Sequence, residues 1–151
     1  LKLYNKLNYR NSFLVHRDFH SQNLMKVGKK IGVIDTQDAL IGNQAYDLVS
    51  LIDDVRLKTS DDLKNKIFNY YLKKISKIKN IDSIKFLEDF NILSVQRSLK
   101  ILGIFSRLSI RDKKKTYLKF MPYTRYLLKK RMKSEIFSEL KEILNASLKK
   151  K

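Results

Sequence analysis

The stretch His16-Arg17-Asp18-Phe19-His20-Ser21-Gln22-Asn23 sets an Asp five residues before an Asn, and the apolar run Ile31-Gly32-Val33-Ile34 then ends on Asp35. Moving a phosphoryl group needs a base to receive the proton of an attacking hydroxyl. It also needs oxygen ligands for the cations that neutralise a polyphosphate as its charge shifts. Asp18 suits the base at this spacing, and Asn23 and Asp35 suit magnesium. Phosphoryl transfer is therefore the chemistry these residues point to. The rival reading is a polar loop whose Asp and Asn only bond backbone groups; it leaves unexplained the third polar residue waiting at a strand end.

The surrounding pattern supplies elements that bring the three together. Phe13-Leu14-Val15 is a short apolar run before the loop, and Leu24 to Val27 with Ile31 to Ile34 reads as a hairpin turning at Gly28-Lys29-Lys30. Asp18 and Asn23 then sit on a loop and Asp35 at a strand end, converging on one crevice. From Tyr46 the spacing turns helical. It predicts about three turns with Tyr46, Leu48, Val49, Leu51, Ile52 and Val55 inside and Asp53, Asp54 and Arg56 outside. Thr59 or Ser60 with Asp61-Asp62 starts a second helix, reaching about Lys77. Its expected core is Leu63, Ile67, Tyr70, Tyr71 and Ile75, with Lys64, Lys66, Lys73, Lys74 and Lys77 in water. Residues 84–110 read as one long buried helix or two joined near Asn91. A polar turn follows at 111–115, then a helix started or interrupted by Pro122. A last amphipathic segment over 134–148 buries Ile136, Phe137, Leu140, Ile143 and Leu144, and Lys149-Lys150-Lys151 reads as a solvated tail.

With 151 residues and 43% hydrophobic content the chain is long enough for one sizeable core. It has no Cys, which removes disulfides, thiolate zinc sites and cysteine nucleophiles together and is compatible with a reducing cytosol. No apolar run approaches the ~20 residues a bilayer requires, and the start, Leu1 to Lys6, is too polar for a signal-peptide core. We expect a cytoplasmic protein with no membrane partner. The net charge of +18 is uneven: residues 1–60 hold nine Lys/Arg against six Asp/Glu, and residues 61–151 hold 24 against nine. Such an excess is one mark of a polyanion-binding surface. Here the lysines recur at solvent-facing helical positions, so a solvated surface is the stronger reading and nucleic acid is not an expected partner. On the long helix, Arg97, Lys100, Arg107 and Arg111 recur at spacings compatible with a cationic stripe, either a plain solvated face or a surface for an anionic acceptor. His20 either braces the loop, as His16 and Arg17 do, or approaches the acceptor.

The segment His16 to Asn23, Ile34-Asp35-Thr36-Gln37-Asp38-Ala39, and Gly42 with Tyr46-Asp47-Leu48-Val49-Ser50-Leu51 resembles the aminoglycoside phosphotransferase/choline kinase family. Gln96 to Leu108 and Tyr117-Leu118 extend the similarity toward bacterial N-acetylmuramate/N-acetylglucosamine anomeric kinases. The resemblance implies a mainly α chain with short β-hairpins, the C-terminal lobe of a protein-kinase-like α+β fold. It implies ATP, Mg2+ and transfer of the γ-phosphate to a small-molecule hydroxyl, here an amino sugar that yields a 1-phosphate for peptidoglycan recycling. Asp18 becomes the catalytic base, Asn23 and Asp35 the metal ligands, and His16, Arg17 and Asp47 the support of the catalytic loop. His20, Asp38, Arg97 and Lys100 are candidates for acceptor binding. Thr36 stands where an aromatic residue is expected, and Asn43 where proline is expected after Gly42. Nothing before Leu14 supplies a phosphate-covering loop or an ATP-contacting Lys, so residues 1–151 read as one lobe whose N-terminal ATP-binding partner is missing and which is inactive alone. The alternatives are a kinase for choline, homoserine or an aminoglycoside, a nucleotide-binding pseudokinase, and a noncatalytic basic helical module that binds nucleic acid.

Overall fold

The computed structural model describes residues 3–148; the Lys149-Lys150-Lys151 tail lies outside the described residues. The chain is mostly helical with short antiparallel strands and divides into two compact units, Leu1–Arg97 and Ser98–Lys151.

In the first unit, β1 (Phe13–Val15) pairs antiparallel with β4 (Leu40–Gly42), and β2 (Leu24–Val27) with β3 (Lys30–Val33). The β2–β3 hairpin is the one expected from sequence. Its turn uses Gly28 at φ +59°, a conformation that costs a residue without a Cβ little. β4 carries no local signal and was not anticipated: three residues pair with a strand far back in the chain. Gly42 faces Val15 so closely that a Cβ there would stand 2.5 Å from a Val15 methyl, which explains the glycine.

Behind the strands, α1 (Tyr46–Ile52), α2 (Asp61–Ile75) and the start of α3 (Ser83–Ile110) enclose a core of Ala45, Leu48, Val49, Ile52, Phe86, Phe90 and Leu93. Phe68 stacks edge-on against Phe90 at 5.2 Å, and Tyr71 lies over Phe86 at 5.9 Å. Ser60 caps α2 as expected, its hydroxyl accepting from the Leu63 amide at 3.3 Å. The core residues of α2 differ from those read off the sequence. The buried stripe runs through Ile67, Phe68, Tyr71 and Ile75 and continues back to Lys64, so Leu63 (45% exposed) and Tyr70 (64%) fall off it.

α1 is two turns rather than three, and Asp53 and Asp54, expected in water, are both buried. Asp53 pairs with Lys64, likewise expected in water, at 3.2 Å and accepts from Ser94 Oγ at 2.6 Å. Asp54 accepts from Ser21 Oγ at 2.6 Å and from the Ser21 and Arg56 amides. Residue type placed these groups outside; partners distant in the chain draw them in. Asn43, where proline was expected, donates to the Tyr9 carbonyl and to buried Asp89 and accepts from the Ala45 amide. Asp89 also accepts from the Asn8 and Tyr9 amides, tying the amino-terminal segment to α3.

α3 runs unbroken through Asn91. Asp82 caps it, its Oδ1 accepting from the Ile84 amide at 2.8 Å and the Lys85 amide at 3.0 Å. These amides, Lys85 foremost, hold the Asp82 carboxyl below the usual carboxylate range. A lowered folded-state pKa gives stability that is present above the ordinary value near 4 and lost as pH falls through the folded one. Asp82→Ala should therefore lower the melting temperature at pH 7, and its curve should converge on wild type as melts are taken toward pH 2. Parallel curves would refute the cap's ionic character.

The second unit contains the rest of α3, a 3-10 segment over Lys115–Phe120, α4 (Met121–Arg131) and α5 (Ser138–Leu148). Pro122 sits in the first turn of α4, where its missing amide donor costs nothing. Phe105 packs on Tyr117 and Phe120. Ser134 accepts from the Ile136 amide and opens a 3-10 turn over Glu135–Phe137, so the last α-helix starts four residues later than expected and Ile143 is 57% exposed. Among the described residues no helix is long and apolar enough to cross a membrane.

Candidate active site

β1 delivers the chain to His16, where Asp47, in the first turn of α1, takes over. Its two carboxylate oxygens accept from the His16 amide at 2.7 Å and the Arg17 amide at 3.0 Å. This clamp holds Arg17 in the left-handed region, φ +73°, which disfavours a side-chain-bearing residue by ~1 kcal/mol or more. The Arg17 guanidinium reaches the Asp38 carbonyl at 3.3 Å. His16 Nε2 lies 2.9 Å from the Ile34 carbonyl, which accepts, so Nε2 carries the proton. Asp47, His16 and Arg17 thus meet at the start of the loop.

The loop then folds on itself. The Asp18 carbonyl accepts from the His20 amide at 2.9 Å and from Asn23 Nδ2 at 3.0 Å, and the His20 carbonyl accepts from the Asn23 amide at 3.0 Å. The Ile34 amide donates to the Asn23 carbonyl at 3.1 Å, continuing the β2–β3 ladder by one step. That step sets Asp35, at φ +67°, next to Asn23, and Asn23 Nδ2 lies 3.4 Å from Asp35 Oδ2. Asn23 therefore touches both the Asp18 backbone carbonyl and the Asp35 carboxylate. The Asp18 carboxylate accepts no hydrogen bond among the described residues, which leaves it open to a substrate proton.

Among the described residues no three His, Cys, Asp or Glu side chains gather into a metal cage. Magnesium is usually held through one or two protein oxygens, with substrate phosphates and water filling its octahedron. The Asp35 carboxylate and the Asn23 amide oxygen, freed because Nδ2 is turned to the Asp18 carbonyl, fit that manner of binding.

Around the loop, His20 is buried with Nδ1 unpartnered. Burial foremost, then the Arg56 cation and to a lesser degree Arg97, outweighs the opposing pulls of Asp54 and Asp18 and pushes its pKa down, so the imidazole is neutral at pH 7. Arg97 is 8% exposed and donates to the Arg17 carbonyl at 3.4 Å. Asp38 is exposed; Lys100 is exposed and belongs to the second unit. The Asp54–Ser21 bond, which secures the loop from the segment just after α1, was missed by sequence reasoning. A signal existed: two acids at the carboxyl end of a helix oppose its dipole and so serve something else.

Residues 5–87 match the phosphotransferase enzyme family, a stretch that contains Asp18, Asn23, Asp35 and Asp47. The chain belongs to this family. A phosphotransferase of this kind is protein-kinase-like, and the helices with short antiparallel strands seen here fit its C-terminal lobe. Curated relatives named N-acetylmuramate/N-acetylglucosamine kinase include proteins of Neisseria meningitidis, 37% identical over 129 residues, and Pseudomonas aeruginosa, 36% over 135. The first alignment covers 83% of this phosphotransferase chain and 38% of the relative; the second covers 86% and 40%. A Caulobacter vibrioides protein of the same name is 33% identical over 112 residues, covering 71% and 30%. The chain thus spans between three and four tenths of the length of these relatives.

Proposed function

We propose that residues 1–151 form the catalytic-loop lobe of a longer ATP-dependent kinase. Its acceptor is a cell-wall amino sugar, N-acetylmuramate or N-acetylglucosamine, phosphorylated on the anomeric hydroxyl in the cytoplasm for peptidoglycan recycling. The observation that carries this reading is the single hydrogen-bonded knot in which Asn23 touches both the Asp18 carbonyl and the Asp35 carboxylate. The relatives' names supply the acceptor, and their greater length supports a nucleotide-binding lobe elsewhere in the protein.

Asp18 orients the acceptor hydroxyl and takes its proton as the oxygen attacks the terminal phosphate. Asn23 and Asp35 hold Mg2+. When bound, magnesium neutralises the charge that moves onto the leaving diphosphate. Asp47, through the His16 and Arg17 amides, keeps Arg17 in its left-handed conformation, so that Asp18 follows from a fixed backbone.

Acceptor profiling of the complete gene product with Mg-ATP tests this directly, and a sugar 1-phosphate is the expected product. Phosphorylation of choline, homoserine or an aminoglycoside, with the amino sugars inert, would replace the acceptor. Asp35→Ala should cut turnover by roughly 10²–10³-fold and make nucleotide affinity insensitive to magnesium. A variant that keeps its magnesium response would remove Asp35 from the metal site.

A further inference from the structure

Arg97 presents an unbalanced charge. At 8% exposure it is one of the most deeply placed cations in the first unit, yet among the described residues no carboxylate pairs with it, and its Nε is buried without any partner. Its one hydrogen bond, to the Arg17 carbonyl, is long at 3.4 Å. Buried cations are ordinarily paired, because a charge removed from water without a counter-charge is strongly destabilising. Asp54 and Asp47 are committed elsewhere, and the Asp18 carboxylate, which the proposed reaction needs for the acceptor's proton, makes no ion pair with Arg97 among the described residues. Asp54 accepts from Ser21 Oγ, from the Ser21 and Arg56 amides, and has the Arg56 guanidinium at 3.9 Å. Asp47 is taken by the loop amides. His20, buried with Nδ1 unpartnered, lies within the field of Arg97. The missing group is an anion.

Two sources share that chemistry: a carboxylate on the acceptor and a phosphoryl oxygen of the nucleotide. The geometry favours the acceptor. Arg97 reaches the loop at Arg17, the residue before Asp18, to which the proposed reaction assigns the acceptor's proton. Arg97 also lies beyond the stretch matched by the phosphotransferase family in general. Of the two sugars in the relatives' names, N-acetylmuramate carries a lactyl carboxylate and N-acetylglucosamine does not.

We propose that the Arg97 guanidinium, seated against the Arg17 carbonyl with His20 beside it, binds a carboxylate carried by the acceptor sugar. Arg97 is then the residue that selects carboxylate-bearing amino sugars. The inference rests on the phosphotransfer reading above.

The test compares kcat/KM of the complete kinase for N-acetylmuramate, for its lactamide and for N-acetylglucosamine. Wild type should lose about 10–100-fold on amidation, through KM rather than kcat. Arg97→Gln should erase that difference, acid and amide then being used alike whatever the change in overall turnover. Arg97→Lys should fall between, keeping the charge without the planar fork. Equal use of acid and amide by wild type overturns the proposal, and so does an Arg97→Gln effect confined to ATP, which would assign the anion to the nucleotide. If Arg97→Gln fails to fold, the acid–amide comparison in wild type still decides. Failure to phosphorylate any sugar refutes the phosphotransfer reading instead; calorimetric binding of acid over amide then supports Arg97, and equal binding overturns it.

Discussion

Asp18→Asn should lower phosphate transfer by about 10²–10⁴-fold, the usual contribution of a positioned general base, and leave the fold unchanged. The two halves of that expectation come from different atoms of one residue. The Asp18 carbonyl organises the loop by accepting from the His20 amide and Asn23 Nδ2, and the substitution does not touch it. The carboxylate has no hydrogen-bond partner among the described residues, so its replacement by an isosteric amide should shift stability by no more than ~0.5 kcal/mol. Steady-state transfer and a urea unfolding curve, measured on the same preparation, check both parts. Retention of a third or more of the activity would remove Asp18 from the proton-transfer role. The variant also separates the enzyme from the basic-module alternative. Steeply salt-dependent nucleic-acid binding that survives Asp18→Asn, with no sugar phosphorylated by wild type, would favour the latter.

Asn23→Ala offers a useful contrast. It removes a proposed magnesium ligand together with the side chain that bonds the Asp18 carbonyl, so activity and loop order fall together. Only Asp18→Asn isolates chemistry from architecture.

What could be read from sequence was what neighbours along the chain decide. The loop from His16 to Asn23, the hairpin around Gly28, the Ser60 cap and the Pro122 helix start each rest on a few adjacent residues, and each stands where expected. The errors occur where a partner far along the chain overrides residue type. β4 exists because Leu40–Gly42 finds β1, which no local pattern announces. Asp53, Asp54 and Lys64 are charged and were therefore placed in water, but Ser94, 41 positions from Asp53, supplies one hydrogen bond that holds this cluster inside. Asn43 has the same logic: in place of a rigid proline it makes three hydrogen bonds, one reaching Asp89 on α3. The candidate site could be proposed from sequence because its residues sit on one loop and one hairpin. Its supports were only partly legible, since Asp47 follows the loop in a recognisable helix and Asp54 does not declare itself.

Asp53→Ala carries the largest expected loss of stability, about 3–5 kcal/mol, the usual result of removing one partner from a buried ion pair. Lys64 is 4% exposed, and without Asp53 its ammonium keeps the desolvation cost while losing the carboxylate at 3.2 Å. Ser94 Oγ loses its acceptor at the same time. The urea midpoint should drop with little change in the slope of the transition, because the surface exposed on unfolding is unchanged. The pair itself is a different matter from its two halves: replacing both charges with apolar groups of similar volume is often neutral or stabilising. Asp53→Leu with Lys64→Met should therefore recover most of what Asp53→Ala loses, and the double-mutant cycle should return a coupling of about 1–3 kcal/mol. A loss below ~1 kcal/mol for Asp53→Ala would mean that Lys64 swings to solvent, undoing the buried pair. Function adds a second readout. Asp54, the next residue, bonds Ser21 of the catalytic loop, so if the Asp53–Lys64–Ser94 cluster anchors the chain after α1, the double variant should restore transfer along with stability. Recovery of stability without recovery of transfer would show that the loop depends on the charges and not on the anchor alone.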